Sequence, residues 1–247
     1  MEERTDLTQN GIRVSQGLHG VREAARRDKG LRFTTLLHHV NEKLLLDSFF
    51  QLKKGAAPGV DRVTWQDYEQ GVEDRIKDLH GRVHRNGYRA QPSRRVYIPK
   101  PNGQQRPLGI AAVEDKIVQQ AVVQVLNAIY EEDFLGFSYG FRPGRSAHDA
   151  LDALSAGITF KTVRWILDAD IKGFFDNISH EKLMELLGLR IADQRILRLV
   201  QKWLKAGVSD EGEWSETKIG TPDQRRSTTV SLVQDKACIR LRQWPAL

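Results

Sequence analysis

The 247-residue sequence has one cysteine, Cys238, and no stretch that approaches the roughly 20 apolar residues of a membrane-spanning helix. A lone cysteine excludes an internal disulfide and a multi-cysteine zinc site, and it fits a reducing compartment. Residues Met1 to Gly30 mix acids, bases and polar groups and lack the apolar core of a secretory signal. These absences lead us to expect a soluble cytoplasmic protein with no membrane partner. The seven histidines show no HExxH or similar metal spacing. A GxSxG elbow, a Walker A loop and a GxGxxG dinucleotide fingerprint are all missing. So are internal repeats and any long Pro/Ser linker.

What is present is an ordinary globular composition, 40% hydrophobic and 28% charged, with a net charge of +6. A basic balance suits a polyanionic partner, because neutralising phosphates releases bound counterions. A solvated basic surface is the other reading, and charge alone does not separate the two.

Residues 1–30 carry many charges and little periodicity, and are expected to form a mobile arm with at most a transient helix. From Leu31 a pattern begins, with Leu36, Leu37, Val40, Leu44 and Leu45 at helical spacing. Gly55-Ala56-Ala57-Pro58-Gly59 ends it in a loop. Thr64 to Asp67 has the form of a capping box, and Tyr68, Val72, Ile76, Leu79 and Val83 follow on one helical face. Val96 to Ile98, the turn Pro101-Asn102-Gly103 and Arg106 to Ile110 read as an antiparallel hairpin. A helix follows with Ile117, Val118, Ala121, Val122, Val125, Leu126 and Ile129 inward. Ser146 and Ser179 are candidate caps of later helices, and Ile191 to Leu204 is a further amphipathic helix. The apolar run Val163 to Ile171 reads as a buried strand. Helices interrupted by a few strands imply a mixed α/β or α+β architecture.

Three constellations carry chemistry. Asp168 and Asp170 end the apolar run two residues apart, on one face of the expected strand. Hard oxygen ligands there suit Mg²⁺, which phosphoryl and nucleotidyl transfer require. Acids held by a neighbouring Arg or helix amide are an equal alternative. Lys100 and Arg106 flank the hairpin turn, so both can reach one anion such as a triphosphate. The same charges also serve a solvated edge that resists aggregation. Phe137 to Ser146 interleaves aromatics with Arg142, Arg145 and glycines, a pattern that stacks on bases and contacts phosphates. For Tyr139 and Phe141, packing is the favoured reading.

In order, Gly55–Asp61, Tyr97–Gly103, Arg106–Ile110, Asp115–Gln119, Phe137–Arg145, Asp168–Asp176 and Gly220–Pro222 resemble the successive blocks of group II intron reverse transcriptase/maturase proteins of bacteria. Any single block is weak, and the ordered set is specific. The resemblance implies a right-hand polymerase, mostly helical, with a fingers hairpin and a partial palm sheet. Its expected divisions are a mobile arm (1–30), an N-terminal extension and start of fingers (31–93), fingers (94–160), partial palm (161–222) and an unrelated, disordered tail (223–247).

It also implies RNA-directed DNA synthesis from a primer, a template and dNTPs, together with intron RNA binding and splicing assistance. Lys100 and Arg106 would hold the triphosphate. Asp170 and the backbone carbonyl of Ile171 would hold two Mg²⁺ ions, with Asp170 as the catalytic acid. Phe175 would abut the sugar 2′ position, while Asp168 and Asp176 would support. Arg94, Arg95, Arg142 and Arg145 are the candidate nucleic-acid contacts. The sequence contains no Tyr-x-Asp-Asp, and after Gly220-Thr221-Pro222 it departs from the family pattern. The expectation is a truncated or frameshifted chain, inactive alone. A non-catalytic RNA-binding module and a nonfunctional relic are the alternatives. Neither the oligomeric state nor the particular RNA follows from the sequence.

Overall fold

The computed structural model describes residues 16–99, 103–161, 163, 165–169, 171 and 173–221. The first element is a helix, α1 (Gln16–Arg27), where a mobile arm was expected. Leu18, Val21 and Ala25 recur every three to four residues and are buried. Packing against a longer helix supplies the stability that its polar sequence lacks.

A single 3₁₀ turn (Leu37–His39) leads to α2 (Glu42–Gln51), capped where Asn41 accepts from the Leu44 amide. The expected capping box is present at α3 (Trp65–Glu69), with Thr64 and Asp67 bonding each other's backbone. The single helix read through Val83 is divided, because Gly71 takes φ +71° and α4 (Val72–His84) starts afresh.

The hairpin forms as read: β1 (Ser93–Pro99) pairs antiparallel with β2 (Gln105–Ile110), Val96 opposite Leu108 and Ile98 opposite Arg106. Helix α5 (Val113–Asp133) then runs through the core, with both α1 and α2 packed on it. It is buried on most sides, from Ile117 and Val118 through Leu126 and Ile129. Its last turn carries Glu131, Glu132 and Asp133, an unfavourable place for acids beside the negative end of the helix dipole. Arginines from three other segments offset them. Arg142 meets Glu131 at 3.0 Å, Arg22 meets Glu132 at 2.8 Å, and the buried Arg190 meets Asp133 at 3.0 Å.

Helix α6 (Ala147–Phe160) has the capping box of Ser146 and Asp149 but buries no residue. Helix α7 (His180–Gly188) is capped by Ser179, and α8 (Gln194–Lys205) by Asp193. Asp193 also accepts from the amides of Leu36 and Leu37 at 2.8 and 3.0 Å, tying the start of α8 to the chain before α2. Phe33 forms a parallel bridge with Ile191 beside this anchor.

Two short strands went unread in the sequence: β3 (Val208–Asp210) and β4 (Glu213–Ser215). They extend the hairpin into a mixed sheet of order β2-β1-β3-β4, with β1 and β3 parallel. The buried strand expected over 163–171 does not form among the described residues of that run. Among its described residues none pairs in a ladder, and Trp165 and Leu167 are 92% and 91% exposed. A strand is held by the amides and carbonyls of a neighbour. The sheet ends at β2 and β4, and no described strand runs beside this run. The overall architecture is mixed α/β, largely helical, as the sequence indicated.

Candidate nucleotide and metal site

Arg106 lies on β2 opposite Ile98, and its side chain is exposed to solvent. Gly103 closes the described part of the turn at φ +78°, which suits the Asn-Gly turn chemistry. Lys100, Pro101 and Asn102 lie outside the described residues. Tyr97 is exposed and donates to the Asp210 carboxylate at 2.5 Å, which joins the hairpin to β3 and raises the phenol's pKa. Arg95 is half-buried beside Tyr97.

Arg94 does not face solvent freely. Its guanidinium donates to the carbonyls of Pro58 at 2.7 Å and Gly59 at 3.2 Å. This clamps the Gly55–Asp61 loop to the hairpin, so two of the sequence blocks become one unit. Gly59 itself cannot be larger, since an added Cβ would stand 2.5 Å from the Ala112 Cα. The spacing of the glycines gave no hint of that approach.

In the Phe137–Ser146 segment the structure separates the two arginines. Arg142 is buried, paired with Glu131, and donates to the Leu135 and Ser138 carbonyls at 2.9 Å each. Its guanidinium therefore faces protein acceptors and positions the loop. Arg145 donates to Gly136 O at 3.1 Å and lies 5.4 Å from the Tyr139 ring. The packing role favoured for both aromatics does not hold for Phe141. Tyr139 is half-buried, whereas Phe141 is 59% exposed at φ +54°. The turn puts Phe141 in the left-handed region and turns its ring outward.

Within the acidic segment, the described residues Gly173 to Asn177 form a tight turn. Gly173 takes φ +63°, and the amides of Asp176 and Asn177 both donate to its carbonyl at 3.1 Å. Phe174 and Phe175 meet edge to face at 5.5 Å, and both pack partly on the core. The Gly220–Thr221 segment docks on this turn. Thr221 donates to Phe175 O at 2.9 Å, and Gly220 donates to Ile178 O at 2.8 Å. His180 Nε2 lies 2.7 Å from Gly220 O. An added Cβ on Gly220, at φ +76°, would stand 2.6 Å from Asp176 O. Two blocks that lie more than forty residues apart in sequence thus share one hydrogen-bonded unit. Phe175 is fixed at its centre.

Asp168 and Ile171 are exposed, and Asp170 lies outside the described residues. No three His, Cys, Asp or Glu side chains gather into a metal site among the described residues. Those residues do not compose a magnesium site without Asp170.

A buried polar network lies in the core. The Tyr88 hydroxyl donates to Asp115, whose other oxygen accepts from the Gln91 amide at 3.0 Å. Trp203 Nε1 donates to the same hydroxyl at 2.9 Å. Burial pushes the Asp115 carboxyl up to about 6, although both hydrogen bonds favour the charged form. Asp115 opens one of the sequence blocks, and nothing in its spacing marked it as buried.

The chain carries a reverse transcriptase domain. The family described as Reverse transcriptase (RNA-dependent DNA polymerase) matches residues 98–225, and the chain belongs to it. Among curated relatives, Protein YkfC of Escherichia coli (strain K12) is 36% identical over 205 residues, covering 80% of this chain and 54% of that protein. The group II intron-encoded protein LtrA of Lactococcus lactis subsp. cremoris is 42% identical over 151 residues, covering 61% of this chain and 25% of that one. The 91 kDa protein in the cob intron of Schizosaccharomyces pombe is 45% identical over 131 residues, covering 53% and 16%. The chain therefore spans about half the length of the first relative and a quarter of the second. A solved partial Cas6-RT-Cas1–Cas2 complex shares the fold at a TM-score of 0.53 and 18% identity, over 83% of this chain and 34% of that one. Among the described residues no helix is long and apolar enough to cross a membrane.

Proposed function

We propose that this chain supplies the triphosphate-binding hairpin and the first acidic segment of an RNA-templated DNA polymerase of the group II intron type. The observation that carries the reading is the docking of Gly220–Thr221 on the Phe175–Ile178 turn, within the stretch matched by the reverse transcriptase family. In this reading Arg106 grips the incoming triphosphate through paired N–H···O bonds, and Lys100 adds a point charge. Phe175, held by the Thr221 amide, presents a bulky ring to the sugar. Magnesium, held through Asp170 and the Ile171 carbonyl, would offset charge on the phosphates. The primer, the template and the intron RNA would be the macromolecular partners.

Because the sequence holds no Tyr-x-Asp-Asp, the chain by itself is proposed to bind nucleotide and RNA without extending a primer. The test is a pair of assays on the full chain. Triphosphate binding should weaken about 10- to 100-fold in Arg106→Ala, the loss of one charge-assisted phosphate contact. Primer extension should be absent. Unchanged triphosphate affinity in Arg106→Ala would remove the proposed role of the hairpin. Robust dNTP incorporation that vanishes in Asp170→Ala would overturn the proposed inactivity. A non-catalytic RNA-binding module remains the second reading, favoured by the same absence, and it predicts salt-dependent RNA binding with no triphosphate binding.

A further inference from the structure

The outer face of α8 is basic along its length. Arg195, Arg198, Lys202 and Lys205 lie on it at helical spacing, and the helix contains no acid. The opposite face is apolar and buried through Ile196, Leu199, Val200 and Trp203, so the bases stand on a fixed platform. Arg195 is paired with Asp193 at 3.0 Å. Among the described residues Arg198, Lys202 and Lys205 have no carboxylate within salt-bridge distance.

A second element adds to the same face. Lys202 Nζ donates to Tyr88 O at 2.7 Å and to Asn86 Oδ1 at 3.0 Å, which sets the Asn86–Arg89 segment beside α8. Arg89 is exposed there, and it too lacks an acidic partner among the described residues. Burial first, and then the guanidiniums of Arg198 and Arg89, lower the Lys202 pKa, a sign that like charges crowd one spot. A solvated helix face ordinarily mixes charge signs, because like neighbours repel. A polyanion laid along this face would offset that repulsion.

We propose that Arg89, Arg198 and Lys205 form a docking surface for the sugar–phosphate backbone of an RNA strand, outside the hairpin and the acidic turn, with Lys202 holding the Arg89 segment beside α8. From Arg198 to Lys205 the helix rises about 10 Å. Phosphates recur every ~3.4 Å along one strand of a regular duplex, so about three face that length. Beyond α8 the chain turns acidic at Asp210, Glu211 and Glu213. The inference rests on the reading of this chain as an RNA-handling protein, but it concerns different residues from the triphosphate site.

The experiment compares the full chain with its Arg89→Gln/Arg198→Gln variant in RNA oligonucleotide binding by fluorescence anisotropy, across a salt series. Each phosphate contact to a single strand contributes about 0.7 to the log–log salt slope, so losing two should flatten it by about 1.4. Both side chains are exposed, so thermal unfolding should not move, and Lys205→Gln alone should flatten the slope about half as much. Arg106→Gln, assayed for triphosphate binding, separates the two ideas. If the double variant keeps the wild-type slope while Arg106→Gln loses triphosphate, this surface is refuted and the nucleotide site stands. If the slope falls while Arg106→Gln still binds triphosphate, this surface stands and the nucleotide site does not. Failure of the unaltered chain to bind the RNA would refute the surface outright.

Discussion

Replacing Tyr88 by Phe tests how the buried polar network holds this fold. The Tyr88 hydroxyl both donates to Asp115 and accepts from Trp203 Nε1 at 2.9 Å. Tyr88 is only 1% exposed and Asp115 only 2%, so no water replaces the missing oxygen without rearrangement. The substitution leaves an indole N–H and a carboxylate oxygen without a partner. Each such buried group costs about 1–3 kcal/mol, so about 2–6 kcal/mol should be lost. In a chain of this size that lowers Tm by about 4–24 °C.

The pH profile adds a second readout. Asp115 has a folded pKa of about 6 against an ordinary value of 3.8. A carboxyl raised in this way stabilises the fold while protonated. That contribution is complete below the ordinary value and is lost as pH rises through about 6, an amount of about 3 kcal/mol. The Tyr88 bond restrains the shift, so in Tyr88→Phe the loss should extend to higher pH. Chemical denaturation across a pH series measures both. A change of less than about 1 kcal/mol, with an unaltered profile, would refute the reasoning that this network is buried and mutually satisfied.

Three further perturbations follow from single contacts. Burial opposes ionisation of Asp193, but Arg195 and the amides of Leu36, Leu37 and Arg195 outweigh it and hold its pKa at about 2. Its contribution is present above the ordinary 3.8 and lost as pH falls through about 2, so Asp193→Ala should cost about 1–2 kcal/mol at neutral pH, read by urea unfolding, and flatten the acid limb. Gly220→Ala places a Cβ against Asp176 O in the left-handed region, and should destabilise by at least about 1 kcal/mol and speed proteolysis near Phe175. Trp165→Ser should leave Tm within a degree or two, since surface changes stay within about 0.5 kcal/mol. It should also reduce self-association measured by light scattering, because a 92% exposed indole is an adhesive surface.

The elements legible in advance were those whose signal is local. Thr64 with Asp67, Ser146 with Asp149, and Ser179 satisfy backbone amides within three residues, so the sequence contains both partners. The β1–β2 hairpin needs only a turn and two flanking runs. Helix α5 announces itself by the recurrence of its apolar residues. The failures are of the opposite kind. Helix α1 has a polar composition, and its order comes from α5 and from Glu132, which lies more than a hundred residues away. The run from Val163 to Ile171 has the composition of a buried strand, yet strand formation depends on a neighbour that composition cannot supply. β3 and β4 are three residues each, too short to show a period.

The candidate site divides the same way. The order of the blocks and the family they resemble were legible in the sequence alone. Only the tertiary structure decided that Arg94 clamps the Gly55–Asp61 loop, that Arg142 faces Glu131, and that Gly220–Thr221 locks the Phe175 turn. Residue type fixes what a side chain can bond. Which acceptor stands within 3 Å of it depends on where the rest of the chain has packed.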